Sequence, residues 1–252
     1  MMNRLAARSL LCSLLLCSAS ACVTLPPNAP RSPQDPFERW NRGVYGFNTV
    51  IDRGIVKPVA RSYVRILPQP IRTGIGNFFA NLNMTTVLIN DALQGKLHAA
   101  ATDLGRFLLN TTVGVGGLLD PATQIGMAHN HGDFGQTLGK WGLHAGPFIE
   151  LPLLGPSDLR DAPSLVVDIY TNPAKYLVKN TYAKYGMVVV DYVDIRASLL
   201  SLEPTLASAY DPYVFIRDAY LRRRAYLVSG GKLEKEEEPL IDPDAPDQPI
   251  KP

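Results

Sequence analysis

The 252-residue chain is poor in cysteine, in histidine, in charge of either sign and in long apolar runs, and each shortage removes a class of function. It has three cysteines, Cys12, Cys17 and Cys22, all near the start, so the body that follows can hold no disulfide framework and no cysteine-rich zinc site. Four histidines, His98, His129, His131 and His144, include no His-Glu-x-x-His pair. The formal net charge is +2, far short of the basic excess that nucleic-acid binding needs. No Gly-x-Ser-x-Gly elbow is present, and "GVGGLLD" lacks the lysine and Ser/Thr of a phosphate-binding loop. The longest apolar run of the leader, from about Ser9 to Cys17, is too short for a bilayer span, which takes about 20 residues.

What is present begins with that run. Arg4 and Arg8 precede it, and Ser18, Ala19, Ser20 and Ala21 lead into Cys22. A basic start, a short apolar middle and a small-residue end make a secretory signal over residues 1–21. Its end, "ASAC", resembles the lipobox of bacterial lipoproteins, with alanine at position −3 where leucine is usual. Lipid attachment at Cys22 is the expectation, with fatty-acyl chains such as palmitate as the anchor; ordinary cleavage near Ala21 is the alternative. One acyl chain binds a membrane marginally, whereas two or more hold it stably. Val23 stands where an aspartate commonly retains lipoproteins in the inner membrane, which points to the periplasmic face of the outer membrane.

Residues 22–34, with four prolines, read as an extended tether, and the acidic, proline-rich 232–252 segment reads as a disordered tail. The 35–231 span between them is long enough for one substantial domain. At "QDPFERWNRGVYGFNTVID", Asp35 is placed to cap a helix with Pro36 at its first position, and Phe37, Trp40, Val44, Phe47 and Ile51 follow helical spacing. At "YDPYVFIRDAYLRRRAYLVSGG", Asp211 and Pro212 open a helix and Gly230–Gly231 close it, with Arg222, Arg223 and Arg224 toward its C-terminal end. Leu97, Ala100, Ala101, Leu104, Phe107 and Leu108 share one face, with Lys96, Asp103 and Arg106 opposite. Val188, Val189, Tyr192, Ile195, Leu199 and Leu200 form a similar stripe, and residues 71–93 are helical in pattern. No alternating run is long enough for a sheet, so the body is mainly α. Residues 110–164 differ: ten of the chain's twenty glycines and five prolines lie there, which predicts long ordered loops with short elements.

The chemistry in those loops is sparse. His129, His131 and Asp133 in "HNHGD" are too few for a zinc site and read as a solvated loop. Ser157 has no nucleophile elbow, Asp120, Asp158 and Asp161 have no nucleophile to serve, and Arg160–Asp161 reads as a local ion pair. No cofactor, no metal and no catalytic residue are expected, and the chain is read as a non-enzyme that binds, scaffolds or conducts.

"DPFERWNRGVYGFNTVID", "PQPIRTGIGNFFANL", "GRFLLNTTVGVGGLLDPAT", "DFGQTLGKWGLHAGPFIELPLLGPSDLRD" and "SAYDPYVFIRDAY" occur in an order that resembles the MlaA (VacJ) family of outer-membrane lipoproteins, from Asp35 to Gly231. The resemblance implies a ring-like bundle of amphipathic helices embedded in one leaflet of the outer membrane, with an amphipathic channel. It implies that phospholipids misplaced in the outer leaflet pass through that channel to a soluble periplasmic carrier like MlaC, which preserves lipid asymmetry, and that a trimeric porin is a further partner. Nucleic acid is not a partner in this reading. Gly116, Gly117, Asp120, Arg160 and Asp161 are the channel or loop candidates. Asn41, Asn48 and Asp211, together with Asp120, Arg160 and Asp161, are assigned structural work ahead of lipid contact. A lipid-modifying enzyme using His129, His131 or Asp161, and a purely structural porin-associated scaffold, are the other two readings. Whether each apolar stripe faces a core or lipid is left open by spacing alone.

Overall fold

The computed structural model describes residues 32–231. The signal segment, Cys22, most of the tether and the acidic tail lie outside the described residues. Helix α1 (Glu38–Ile51) continues through a π-helical turn (Asp52–Val56) into α2 (Lys57–Ile66). α3 (Gln69–Leu93) is followed, after the tight turn at Gln94–Lys96, by α4 (Leu97–Thr112), and the two pack along each other. Short helices α5 (Pro121–Gln124) and α6 (Phe134–Lys140) precede a hairpin of β1 (Phe148–Leu151) and β2 (Gly155–Asp158). Then come α7 (Asp161–Thr171), α8 (Ala174–Leu177), α9 (Thr181–Ser198), a 3₁₀ turn (Leu199–Leu202), α10 (Glu203–Ser208) and α11 (Pro212–Val228). None of these helices is long and apolar enough to cross a membrane.

The body is inverted relative to a water-soluble domain. On α4, Asp103 and Arg106 are 0% and 1% exposed, while Leu97, Leu104 and Leu108 are 71%, 45% and 52% exposed. The stripe on α9 also faces outward: Val188, Val189, Tyr192 and Ile195 are all exposed, and the small Ala197 is buried instead. On α1 the stripe is split, with Val44 buried and Phe37 and Trp40 exposed. Among the described residues, those buried are more often polar or charged than apolar. Burial of so many polar groups is tolerable only if they bond to one another.

They do so through a few long-range clasps. Asn41 of α1 donates to Asp35 (2.8 Å) and to the Phe148 carbonyl (3.0 Å), and accepts from the Glu150 amide (2.9 Å). Two turns on, Asn48 donates to the Leu151 carbonyl (3.0 Å) and to Glu150 Oε1 (3.1 Å), and accepts from the Leu153 amide (2.8 Å). Two asparagines seven residues apart lie on one side of a helix, so their amides satisfy the open edge of β1 as a third strand would. The hairpin itself pairs Phe148 with Asp158 and Leu151 with Gly155, antiparallel. Its strands are four residues each, too short for alternation to be read from sequence.

Asp35 is not the helix cap expected of it. α1 starts at Glu38, and Phe37 in the cap position makes no side-chain bond. The Asp35 carboxylate is instead buried, taking hydrogen bonds from Asn41, the Tyr213 hydroxyl and Arg217 Nη1 (3.3 Å). A charge-assisted bond to a buried guanidinium is stronger than a cap at a helix end open to solvent, so the tertiary partner wins. Asp211 does cap α11, accepting from the Tyr213 and Val214 amides at 3.0 and 3.3 Å. Its other oxygen takes Arg42 Nη2 (2.7 Å), and the Arg42 guanidinium lies 4.5 Å over the Tyr213 ring. The two Asp-Pro-aromatic motifs are thus locked to each other. On the far side, Arg196 of α9 bonds Asp52 at 2.7 and 2.9 Å and Glu203 at 2.7 Å, which ties the π-helical turn to α9 and α10.

Replacing Asn41 with alanine removes the Asn41 bond from one oxygen of the buried Asp35 carboxylate, from the Phe148 carbonyl and from the Glu150 amide. The denaturation midpoint in mild detergent is expected to fall by an amount equal to about 3 kcal/mol, from 1–3 kcal/mol for each unsatisfied group. Burial pushes Glu150 up to about 7, with the Asn48 bond opposing, against an ordinary value of 4.5. A carboxyl with a raised folded-state value contributes stability below about pH 4.5 and loses it as pH rises through about 7. The same denaturation measured at pH 5 and pH 8 should therefore show Glu150→Gln gaining on the wild type at the higher pH, by roughly 2–3 kcal/mol.

Candidate functional site

A cavity of about 520 Å³ opens between α3, the loop 129–133, the start of α6 and the C-terminal half of α11. Ala80, Met84, Val87 and Leu227 form its apolar side, and Asn83, His129, His131 and Arg223 its polar side. The α11 residues on the wall, Tyr220, Arg223, Arg224 and Leu227, follow i, i+3, i+4, i+7 and so form one helical face.

The floor is an ion network. Arg224 holds both oxygens of Asp133, at 2.5 and 2.9 Å, and its Nε lies 2.5 Å from Asp161 Oδ2. Arg160 Nε bonds the other Asp161 oxygen (2.7 Å), while Asp158 accepts the Arg160 and Asp161 amides at 3.0 and 2.7 Å. The Tyr220 hydroxyl donates to Asp161 Oδ2 at 2.9 Å. Burial pushes Asp133 upward, but the Arg224 hydrogen bonds and charge outweigh it and hold the carboxyl below its ordinary range. Burial raises Asp158, and the neighbouring Asp161 adds to this. Asp133 also caps α6 through the Gln136 amide (2.7 Å). Gly135 lets α6 sit directly on this network: an added Cβ would come 2.3 Å from Asp161 Oδ1 and 2.8 Å from Arg224 Nη2.

His129 and His131 lie against each other with ring centroids 4.7 Å apart and planes tilted by 43°. Burial, then the His131 and Arg106 charges, push His129 below its ordinary value. Both histidines are exposed, as the solvated-loop reading has them, and they also form the rim of the cavity. Asp133 is committed to Arg224, and among the described residues no group of three histidines, cysteines or carboxylates is arranged to hold a metal ion.

A model of the family described as MlaA lipoprotein matches residues 33–227. The chain belongs to the MlaA family. It is 35% identical over 212 residues to the intermembrane phospholipid transport system lipoprotein MlaA of Escherichia coli strain K12, covering 81% of this chain and 82% of that one. The Haemophilus influenzae protein of the same name is 35% identical over 214 residues, covering 82% and 84%. A solved structure described as the structural basis for maintenance of bacterial outer membrane lipid asymmetry superposes with a TM-score of 0.70 at 35% identity, over 79% of this chain and 100% of that one. A mainly helical fold is common to both.

Within this MlaA-family body the residues singled out from sequence fall in two places. Arg160 and Asp161 are buried behind the cavity wall, joined to it through the Asp161 contacts with Tyr220 and Arg224, and do not line it themselves. Gly116, Gly117 and Asp120 do not line the cavity; they build the turn between α4 and α5. Asp120 caps α5 at the Thr123 amide (3.0 Å), pairs with Arg106 (3.0 Å) and accepts from Asn110 (2.9 Å). Gly117, at φ +90°, is pressed on Asn81, where a Cβ would stand 2.7 Å from the amide, whereas Gly116, at φ +70°, faces open space. Around them Val113, Val115, Leu118 and Leu119 are exposed. The sequence reading missed Asn83, Met84, Val87, Tyr220 and Arg223. The i, i+3, i+4, i+7 set on α11 was available to it, but the arginine run was taken only as a complement to the helix end.

Gly135→Ala is expected to destabilise the protein by about 1–3 kcal/mol through overpacking against the Asp161–Arg224 pair. Gly46→Ala, on an exposed helical position with nothing within 4 Å of the new Cβ, should stabilise it by about 1 kcal/mol. Detergent-phase thermal denaturation of the two variants should move in opposite directions.

Proposed function

We propose that this chain is a phospholipid-transport lipoprotein that maintains the lipid asymmetry of the outer membrane by conducting misplaced phospholipid through its helical body. The observation that carries the reading is the inversion of that body: apolar side chains such as Leu97, Leu104, Val188 and Ile195 point outward and charged ones are sealed inside. Helices of this kind lie in one leaflet with their apolar faces about 5–10 Å into the headgroup and acyl boundary. A lipid headgroup is too polar to cross hydrocarbon unaided, so a conduit needs a polar path beside an apolar wall. The cavity between α3 and α11 has both. Lipid attachment at Cys22, a trimeric porin as the neighbour in the membrane, a soluble periplasmic carrier as acceptor and the absence of any chemical step in this chain complete the proposal. The relatives from Escherichia coli and Haemophilus influenzae are phospholipid-transport lipoproteins by name, which supports it.

The test places the full-length lipoprotein in liposomes and follows labelled phospholipid onto the carrier. Ala80 is exposed at the cavity wall, so Ala80→Trp fills the opening without touching the buried network. Wild-type transfer reduced at least about tenfold by Ala80→Trp, with an unchanged denaturation midpoint, is the expected result; a tenfold loss corresponds to 1.4 kcal/mol. Equal transfer by both proteins removes the cavity from the route. No transfer by the wild type, with the carrier shown competent, leaves a scaffold as the better account, and chemically altered lipid makes the chain an enzyme.

A further inference from the structure

Three consecutive arginines, Arg222 to Arg224, end in different circumstances, and Arg223 is the one left over at the cavity. Most buried and half-buried arginines of the body are spent on acids: Arg42 on Glu38 and Asp211, Arg106 on Asp120, Arg160 on Asp161, Arg196 on Asp52, Arg217 on Asp35, and Arg224 on Asp133 and Asp161, while Arg72 bonds the Leu67 carbonyl and Gln69. Arg223 lines the cavity one residue from Arg224, and among the described residues neither an ion pair nor a hydrogen bond to its guanidinium is formed. Among the described residues the only carboxylate on the cavity wall is Asp133, and Arg224 neutralises it through both oxygens. The wall formed by the described residues therefore offers an unspent cation and imidazole and amide donors, and no free acid among them to receive a cationic group.

We propose that Arg223, with His129, His131 and Asn83 around it, is a phosphodiester-binding site that takes the phosphate of a phospholipid headgroup and is indifferent to the alcohol esterified to it. Guanidinium matches two phosphate oxygens at once, and the imidazole and amide groups supply neutral hydrogen bonds beside it. With no free carboxylate among the described residues of the wall, the ammonium of an ethanolamine headgroup gains nothing there over an uncharged glycerol headgroup. The volume, about 520 Å³, lies within the roughly 300–1,000 Å³ of small-molecule sites. It holds a headgroup and glycerol backbone, with Met84, Val87 and Leu227 against the glycerol and first methylenes, and leaves the acyl chains along the apolar exterior. A conduit that serves every misplaced phospholipid needs this behaviour, because the phosphate is the one headgroup element all of them share. The inference rests on the transport reading above, and deepens it by naming what the route recognises.

Arg223 is exposed and is bonded to none of the acids of the buried network, so its replacement leaves that network intact. The experiment measures calorimetric binding to detergent-solubilised full-length protein, with dihexanoyl phosphatidylglycerol and dihexanoyl phosphatidylethanolamine below their micellar concentrations. Dihexanoylglycerol and inorganic phosphate are the two comparison ligands. Arg223→Gln is expected to weaken both phospholipids about tenfold and to the same degree, to leave dihexanoylglycerol unchanged, and to leave the denaturation midpoint where it was; a charged hydrogen-bond partner is worth at least that factor. Arg223→Lys, which keeps the charge and loses the fork, should fall between. Unchanged phospholipid binding in Arg223→Gln overturns the site. Loss of one phospholipid and not the other overturns the indifference to the alcohol, and equal loss of dihexanoylglycerol overturns the phosphate. Inorganic phosphate bound as tightly as the lipids overturns the lipid assignment in favour of a free-anion site. Failure here is distinguishable from failure of the transport reading, because a wild type that binds these lipids and delivers none to the carrier sinks only the latter.

Discussion

Asp103 and Arg106 sit one turn apart on α4, sealed from solvent, while Leu104 and Leu108 of the same helix face out. That inversion sets the condition the other elements have to meet: polar groups withdrawn from water need partners inside the protein, as Arg106 has in Asp120 and Asp103 in Asn130. Removing one member of a buried pair costs about 3–5 kcal/mol, since the survivor is left charged and unpaired. The chain answers with a web in which most buried arginines reach carboxylates far away in sequence, Arg42 to Asp211 and Arg217 to Asp35 among them. Such pairs specify one arrangement of helices, where apolar packing alone would accept several.

The same web shapes the cavity. Arg224 bridges Asp133 at the head of α6 and Asp161 at the head of α7, so α11 is held at a fixed distance from both. Gly135 allows α6 to lie against that bridge with no side chain between them. With the floor closed by ion pairs and the α3 side lined by Met84 and Val87, a polar path and an apolar wall face each other across one space. Asn41 and Asn48 do the corresponding work at the hairpin, substituting side-chain amides for a strand that the sequence does not contain.

Much of this was legible in the sequence, where local rules operate. The start of α11 at Asp211–Pro212 and its end at Gly230–Gly231 follow from capping chemistry, which acts within a few residues. The pairing of Arg160 with Asp161 was readable for the same reason. The hairpin was not, because four-residue strands whose edge is met by a helix leave no periodic trace. Asp35 read as a cap because its neighbours fit one, and Arg217, 182 residues away, decided otherwise. That the exposed loop 129–133 also borders a cavity was not legible, because Arg224, which fixes Asp133, lies 91 residues on.

By itself the sequence determined that the body is helical, where several of its helices begin and end, and, through five ordered motifs, the family to which it belongs. It also determined that each long helix has an apolar face and a polar one. Which of the two faces inward was decided only in the tertiary structure. Periodicity reports that faces differ, whereas their direction depends on what the polar face finds across the interior, and many of those partners lie far away in the sequence, as Asp211 does from Arg42 and Asp35 from Arg217.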